Sequence, residues 1–79
     1  MSNKKYEVSL VGQLRARRQQ MRMSQAKIAR QLGMSFMNLS HIERGRRGVK
    51  LDTLVKWAQI LNLTLEINLL ETKVVNKPN

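Results

Sequence analysis

Hydrophobic positions along the chain fall first into a helical spacing and then into an alternating one. From about Ser9, the residues Leu10, Leu14 and Met21 are spaced to share one face of a helix. Ser24 is suited to cap a second helix, because its hydroxyl can accept a hydrogen bond from an unpaired N–H of the first turn; Ile28, Ala29 and Leu32 follow as a short apolar stripe. Gly33 ends that helix, since glycine enters the left-handed region at the least steric cost. Ser35 is suited to cap a third helix, from which Leu39 and Ile42 face inward. Gly45, Arg46, Arg47 and Gly48 read as a loop, and Leu51, Leu54, Trp57, Ala58 and Leu61 as a fourth amphipathic helix with Trp57 in the core. No Ser, Thr or Asn directly precedes Leu51, which leaves Asp52 either to cap that helix or to favour its positive end.

At Leu61 the period changes. Leu63, Leu65, Ile67 and Leu69 alternate with Thr64, Glu66 and Asn68, which is the two-residue repeat of a half-buried strand. A fifth helix using Leu61, Leu65 and Leu69 is the alternative; Thr64, Ile67 and Asn68 are poor helix formers and favour the strand. The expected organisation is a flexible arm over residues 1–8, a helical domain over 9–61, a strand over 62–70 and a loose polar tail over 71–79.

With 79 residues the chain is one domain, near the smallest size that buries an adequate core, and it has no cysteine for a disulfide or a thiolate metal site. A small chain without staples leans on helix packing and often on a partner subunit. Fifteen Lys and Arg against five Asp and Glu give a net charge of +10, which favours a polyanionic partner: nucleic acid or an anionic membrane. The basic first helix lacks the bulky apolar belt of a membrane-surface helix. No stretch has the ~20 apolar residues of a membrane span and no signal core opens the chain, so a cytoplasmic, nucleoid-associated location is expected.

The most informative stretch is Ser24 to Gly45, two short helices joined at Gly33, with Ala29 where they cross and the second helix left on the surface to enter a major groove. Here the sequence resembles the lambda repressor-like (Cro/C1, Xre) helix-turn-helix family, through Ser24-Gln25, Ile28-Ala29, Gly33, Ser35, Leu39-Ser40 and Glu43, with Arg18 seven residues before Gln25. The resemblance covers about Leu10 to Leu61 and departs from the family at Arg22, where glycine often ends the first helix. It implies a mainly α fold: a four-helix lambda repressor-like DNA-binding domain, here with a C-terminal strand that pairs across a dimer.

The resemblance also implies roles. Ser35, Phe36, Met37, Ser40 and His41 match the front of the recognition helix and are expected to contact bases. Phe36 stands where the family often has Gln; it cannot make the bidentate bond to adenine and, with Met37, offers apolar surface to thymine methyls. Gln25, Asn38, Arg44, Arg46, Arg47, Lys50 and Arg17 are the expected phosphate contacts, Gln25 also bracing the recognition helix, and Arg15 is a further basic residue beside the flanking backbone. Arg18 and Glu43 are expected to form a partly buried structural ion pair. His41 stands alone, without cysteine or a carboxylate cluster, so no catalytic, metal or cofactor site is expected, and the pattern suggests no small-molecule pocket.

One recognition helix reads only about four base pairs, so an operator with an inverted repeat, bound by a homodimer, is the expected partner. Leu63, Leu65 and Ile67 are the expected dimer contacts, since pairing with a symmetry mate satisfies a lone strand's free backbone groups. The run Leu51–Ile67 is similar to the HipB-type antitoxin branch of the family, which implies an autoregulating repressor with a cognate toxin kinase as a further partner. The alternatives are a free-standing phage-type repressor or restriction-modification controller, and a nonspecific basic nucleic-acid binder. The last would need stacking aromatics, and the chain has only Tyr6, Phe36 and Trp57.

Overall fold

The computed structural model describes residues 4–67 and 72–76, with side chains placed from Leu10 to Glu66 and from Val74 to Asn76. The order is α1 (Lys4–Gln20), α2 (Gln25–Leu32), α3 (Phe36–Glu43), α4 (Leu51–Ile60), β1 (Leu63–Ile67) and β2 (Thr72–Asn76). The first helix therefore starts at Lys4, inside the segment expected as an arm, and ends before Met21, which lies outside it and is exposed. Its inward stripe is Leu10, Val11 and Leu14, continued one turn later by the half-buried Arg17 and Arg18. Leu51, expected on the apolar face of α4, is exposed because it opens the helix beyond the reach of the core.

Caps set the lengths of the short helices. Ser24 Oγ accepts from the Lys27 N–H at 3.1 Å, and Ser35 Oγ accepts from the Asn38 N–H at 3.0 Å. Helix α4 has Lys50 at its N-cap with no side-chain cap bond, and Asp52 lies in its positively polarised first turn. Helices α1, α2 and α3 end alike. The N–H groups of Met23, Met34 and Arg46 reach back to the carbonyls of Arg18, Ala29 and His41, and those of Arg22, Gly33 and Gly45 to Gln19, Arg30 and Ile42. That is a Schellman closure, and it needs a left-handed residue: Gly33 has φ 72°, Gly45 φ 74° and Arg22 φ 56°. Met23 and Met34, the next residue in the first two turns, pack against the core.

Arg22, where the sequence departs from the pattern it resembles, thus takes at the end of α1 the left-handed conformation that Gly33 and Gly45 take at the ends of α2 and α3. A left-handed non-glycine residue is disfavoured by about 1–2 kcal/mol, partly offset by the greater unfolded-state entropy of glycine. Arg22→Gly is expected to stabilise the fold by about 0.5–1 kcal/mol, read as a raised denaturant midpoint at unchanged slope. A lowered midpoint would mean that the Arg22 side chain contributes more than its backbone strains.

The core joins α1 (Leu10, Val11, Leu14), α2 (Ile28, Ala29), α3 (Leu39, Ile42) and α4 (Leu54, Trp57, Ala58), closed by Leu61 and Leu63. Trp57 is fully buried, and its indole N–H has no hydrogen-bond partner among the described residues. After α4, Asn62 turns the chain at φ 59°, a conformation asparagine tolerates. The alternating segment then forms strand β1, not a fifth helix.

One expectation is corrected at this end. The described partner of β1 is the chain's own β2, antiparallel with Leu63 opposite Asn76 and Leu65 opposite Val74. Residues 72–76, expected in a loose tail, supply it: Val74 and Val75 are β-branched, and closing a short hairpin within one chain costs little entropy. Leu63 is buried in the chain's own core and Leu65 packs against that core. The side chain of Ile67 and residues 1–3, 68–71 and 77–79, which complete the expected arm, strand and tail, lie outside the described residues.

Candidate nucleic-acid interface

Helix α3 is held from behind by one buried carboxylate. Glu43, with a side chain only 1% exposed, accepts from Arg18 Nε at 2.9 Å and Arg18 Nη2 at 3.0 Å, a bidentate pair between α1 and α3. Gln25 Nε2 donates to the same carboxylate at 2.9 Å, so the first residue of α2 braces the last residue of α3. Arg18 Nη1 also donates to the Met23 carbonyl at 2.9 Å, tying the α1–α2 turn into the network. The expected structural pair is present, and Gln25 is its third member.

With Leu39, Ser40, Ile42 and Glu43 turned inward, α3 shows the opposite face to solvent. Phe36 is 50% and Met37 60% exposed, so neither is core. The half-buried His41 and the exposed Arg44 follow Met37 at helical spacing on that side, and Ser35 caps its front. Ser40 is the correction: expected at the reading front, it is 7% exposed, because the position after Leu39 turns toward the body of the domain.

Exposed cations follow this helix. Arg44, Arg46, Arg47 and Lys50 are all exposed in the segment leaving α3, which doubles back when the Arg46 N–H bonds the His41 carbonyl at 2.9 Å. Arg47 Nη1 donates to Asn38 Oδ1 at 2.6 Å, so two expected phosphate contacts are joined to each other, and Asn38 Nδ2 rests 3.8 Å from Met34 Sδ. Arg17 does not join them. Its Nε donates to the Leu61 carbonyl at 3.2 Å, and it lies seven residues after Leu10 on the inward stripe, where it caps the negatively polarised end of α4. Arg15 points to the other side, with a side chain 52% exposed and Nε 3.8 Å from Glu43 Oε1. Helical spacing from Leu10 and Leu14 could have separated the inward Arg17 from the outward Arg15.

Among the described residues no helix is long and apolar enough to cross a membrane. A helix-turn-helix family profile matches residues 14–68, which takes in the last seven residues of α1, the whole α2–α3 unit, α4 and β1. No curated protein and no solved structure matches the chain.

Proposed function

The chain belongs to the helix-turn-helix family of Cro/C1, lambda repressor-like type, whose members are DNA-binding regulators of transcription, and on that premise we propose that it is a sequence-specific repressor that binds an inverted repeat as a homodimer. The observation that carries this reading is the outward face of α3, where exposed Phe36 and Met37 stand on a helix fixed to the body by Glu43 and are flanked by exposed cations. The roles divide accordingly. Phe36 and Met37 contact thymine methyls in the major groove, with Ser35 and His41 on base edges, while Arg44, Arg46, Arg47, Lys50, Asn38 and Gln25 meet phosphates. Each strand of the two-stranded sheet keeps one edge without a strand partner among the described residues, so a second copy can extend it and set the half-sites about one helical turn apart.

The finer antitoxin reading rests on the run of α4 into β1. Residues 72–76 pair with β1 and so belong to the sheet. Co-purification with the product of an adjoining gene separates an antitoxin from a free-standing repressor.

Selection of binding sites from random duplex DNA at near-physiological salt tests the proposal. The expected result is an inverted repeat with thymines at fixed places in each half-site. Replacing those thymines by uracil removes only the methyl and is expected to weaken binding by about 1 kcal/mol per half-site, the lower end for a specific base contact. A motif without thymines would remove Phe36 and Met37 as readers; no motif at all, with binding lost as salt rises, would leave only nonspecific charge.

A further inference from the structure

A cavity of about 550 Å³ lies behind the basic segment, between α1, the end of α3 and the loop that follows. Its base is apolar: Val11 and Ile42 are buried there and Val49 is half-buried. Its rim is cationic, with Arg15, Arg44, Arg46 and Arg47 all exposed; the carboxylate of Glu43 also lines it, but is buried and neutralised by Arg18 with a further bond from Gln25. Arg47 is held by Asn38 and Arg15 faces Glu43, whereas the side chains of Arg44 and Arg46 have no hydrogen bond or ion pair among the described residues.

Three of the chain's four glycines, Gly12, Gly45 and Gly48, line this cavity, and a Cβ added at any of them would meet nothing within 4 Å. Gly45 is explained by its left-handed backbone. Gly12 is not: it sits inside α1, where glycine weakens a helix, and no neighbour approaches closely enough to require it. Gly12 lies on the wall of the cavity, with open space where a side chain would stand.

The geometry points to a binding site for an amphiphilic anion, a compact apolar body carrying one carboxylate, sulfonate or phosphate. The body occupies the space over Val11, Ile42 and Val49, and the charged end meets Arg44 and Arg46 at the rim. The volume is that of sites for small organic ligands, and an apolar base with a few convergent charges is their usual make-up. Because Arg44 and Arg46 are also the cations offered to DNA phosphates, the ligand and the duplex compete for them, and the ligand acts as an inducer. This last step rests on the proposed DNA-binding role; occupancy of the cavity does not.

The test uses the full chain, with anilinonaphthalene sulfonate as the probe, since it combines an aromatic body with one sulfonate. Its fluorescence is titrated on the wild type and on Gly12→Leu, a substitution that fills the cavity mouth, strengthens the helix and leaves every proposed DNA contact in place. The expected result is saturable one-to-one binding, weakened at least 10-fold in Gly12→Leu and not displaced by an equal concentration of inorganic phosphate. The probe is also expected to release a labelled operator duplex from the wild type but not from Gly12→Leu. Equal binding to both proteins, no binding, or displacement by phosphate would each overturn the site, the last by showing a simple anion patch. Probe binding without release of the duplex would overturn its role as an inducer site. Failure of the wild type to bind any duplex would instead overturn the DNA-binding reading, which the fluorescence arm does not use.

Discussion

Glu43→Ala is expected to lower the unfolding free energy by about 3 kcal/mol, because removing one partner of a buried, hydrogen-bonded ion pair leaves the other charge unmatched. A domain of this length has roughly 4–12 kcal/mol in all, so the variant is expected to be partly unfolded at warm temperatures. The carboxylate receives three short hydrogen bonds, two from Arg18 and one from Gln25, and its side chain is 1% exposed, so water cannot replace it. Glu43→Gln is not expected to rescue stability, since its amide would set donors against the donors of Arg18 and Gln25. The double variant Arg18→Met, Glu43→Leu is expected to be less destabilised than Glu43→Ala, as two apolar groups leave no orphaned charge. Urea unfolding followed through Trp57, the single and fully buried tryptophan, measures all three. A loss below about 1 kcal/mol would give the pair the weight of a surface bridge and assign the placing of α3 to Leu39 and Ile42 alone.

How far these features can be read without coordinates follows from how local they are. The caps Ser24 and Ser35, the left-handed Gly33 and the inward residues Ile28, Leu39 and Ile42 each depend on a few neighbours, so spacing reveals them. The exposure of Phe36 and Met37 follows in the same way, because Leu39 and Ile42 already occupy the inward face. Strand β2 is different. Its sequence, Thr72–Asn76, is short and half polar, and becomes a strand only because β1 lies beside it in register; the strand pattern of β1 was legible, its partner was not. Helical spacing puts Arg17 on the inward stripe and Arg15 off it, but the partner that makes Arg17 a structural cap, the carbonyl of Leu61, is 44 residues away and not legible in the sequence. The cavity too is tertiary, since its walls come from α1 and from the loop after α3.

Removing the free cations of that loop is expected to have the largest effect on DNA binding. Arg44, Arg46 and Lys50 are exposed, and no hydrogen bond or ion pair engages their side chains among the described residues, so each can neutralise a phosphate without giving up a contact within the protein. Each phosphate contact contributes about 0.9 to the slope of log K against log salt, so the triple alanine variant should lose roughly 2.7 from the slope per protomer, which corresponds at 0.1 M salt to roughly 10²–10³-fold in affinity. Stability is expected to change little, since none of the three packs into the core. The selected sequence should also be unchanged, because phosphate contacts set position and carry no base preference. Phe36→Ala should do the reverse, relaxing the preference for thymine with the salt slope intact. Titrations of one duplex at several salt concentrations, beside repeated site selection, separate the two effects. An unchanged slope in the triple variant would turn the loop away from the duplex and leave Asn38-bound Arg47 and the bracing Gln25 as the phosphate contacts; a changed sequence preference would mean that Arg44, which follows Met37 and His41 along the outward face of α3, reads bases as well as the backbone.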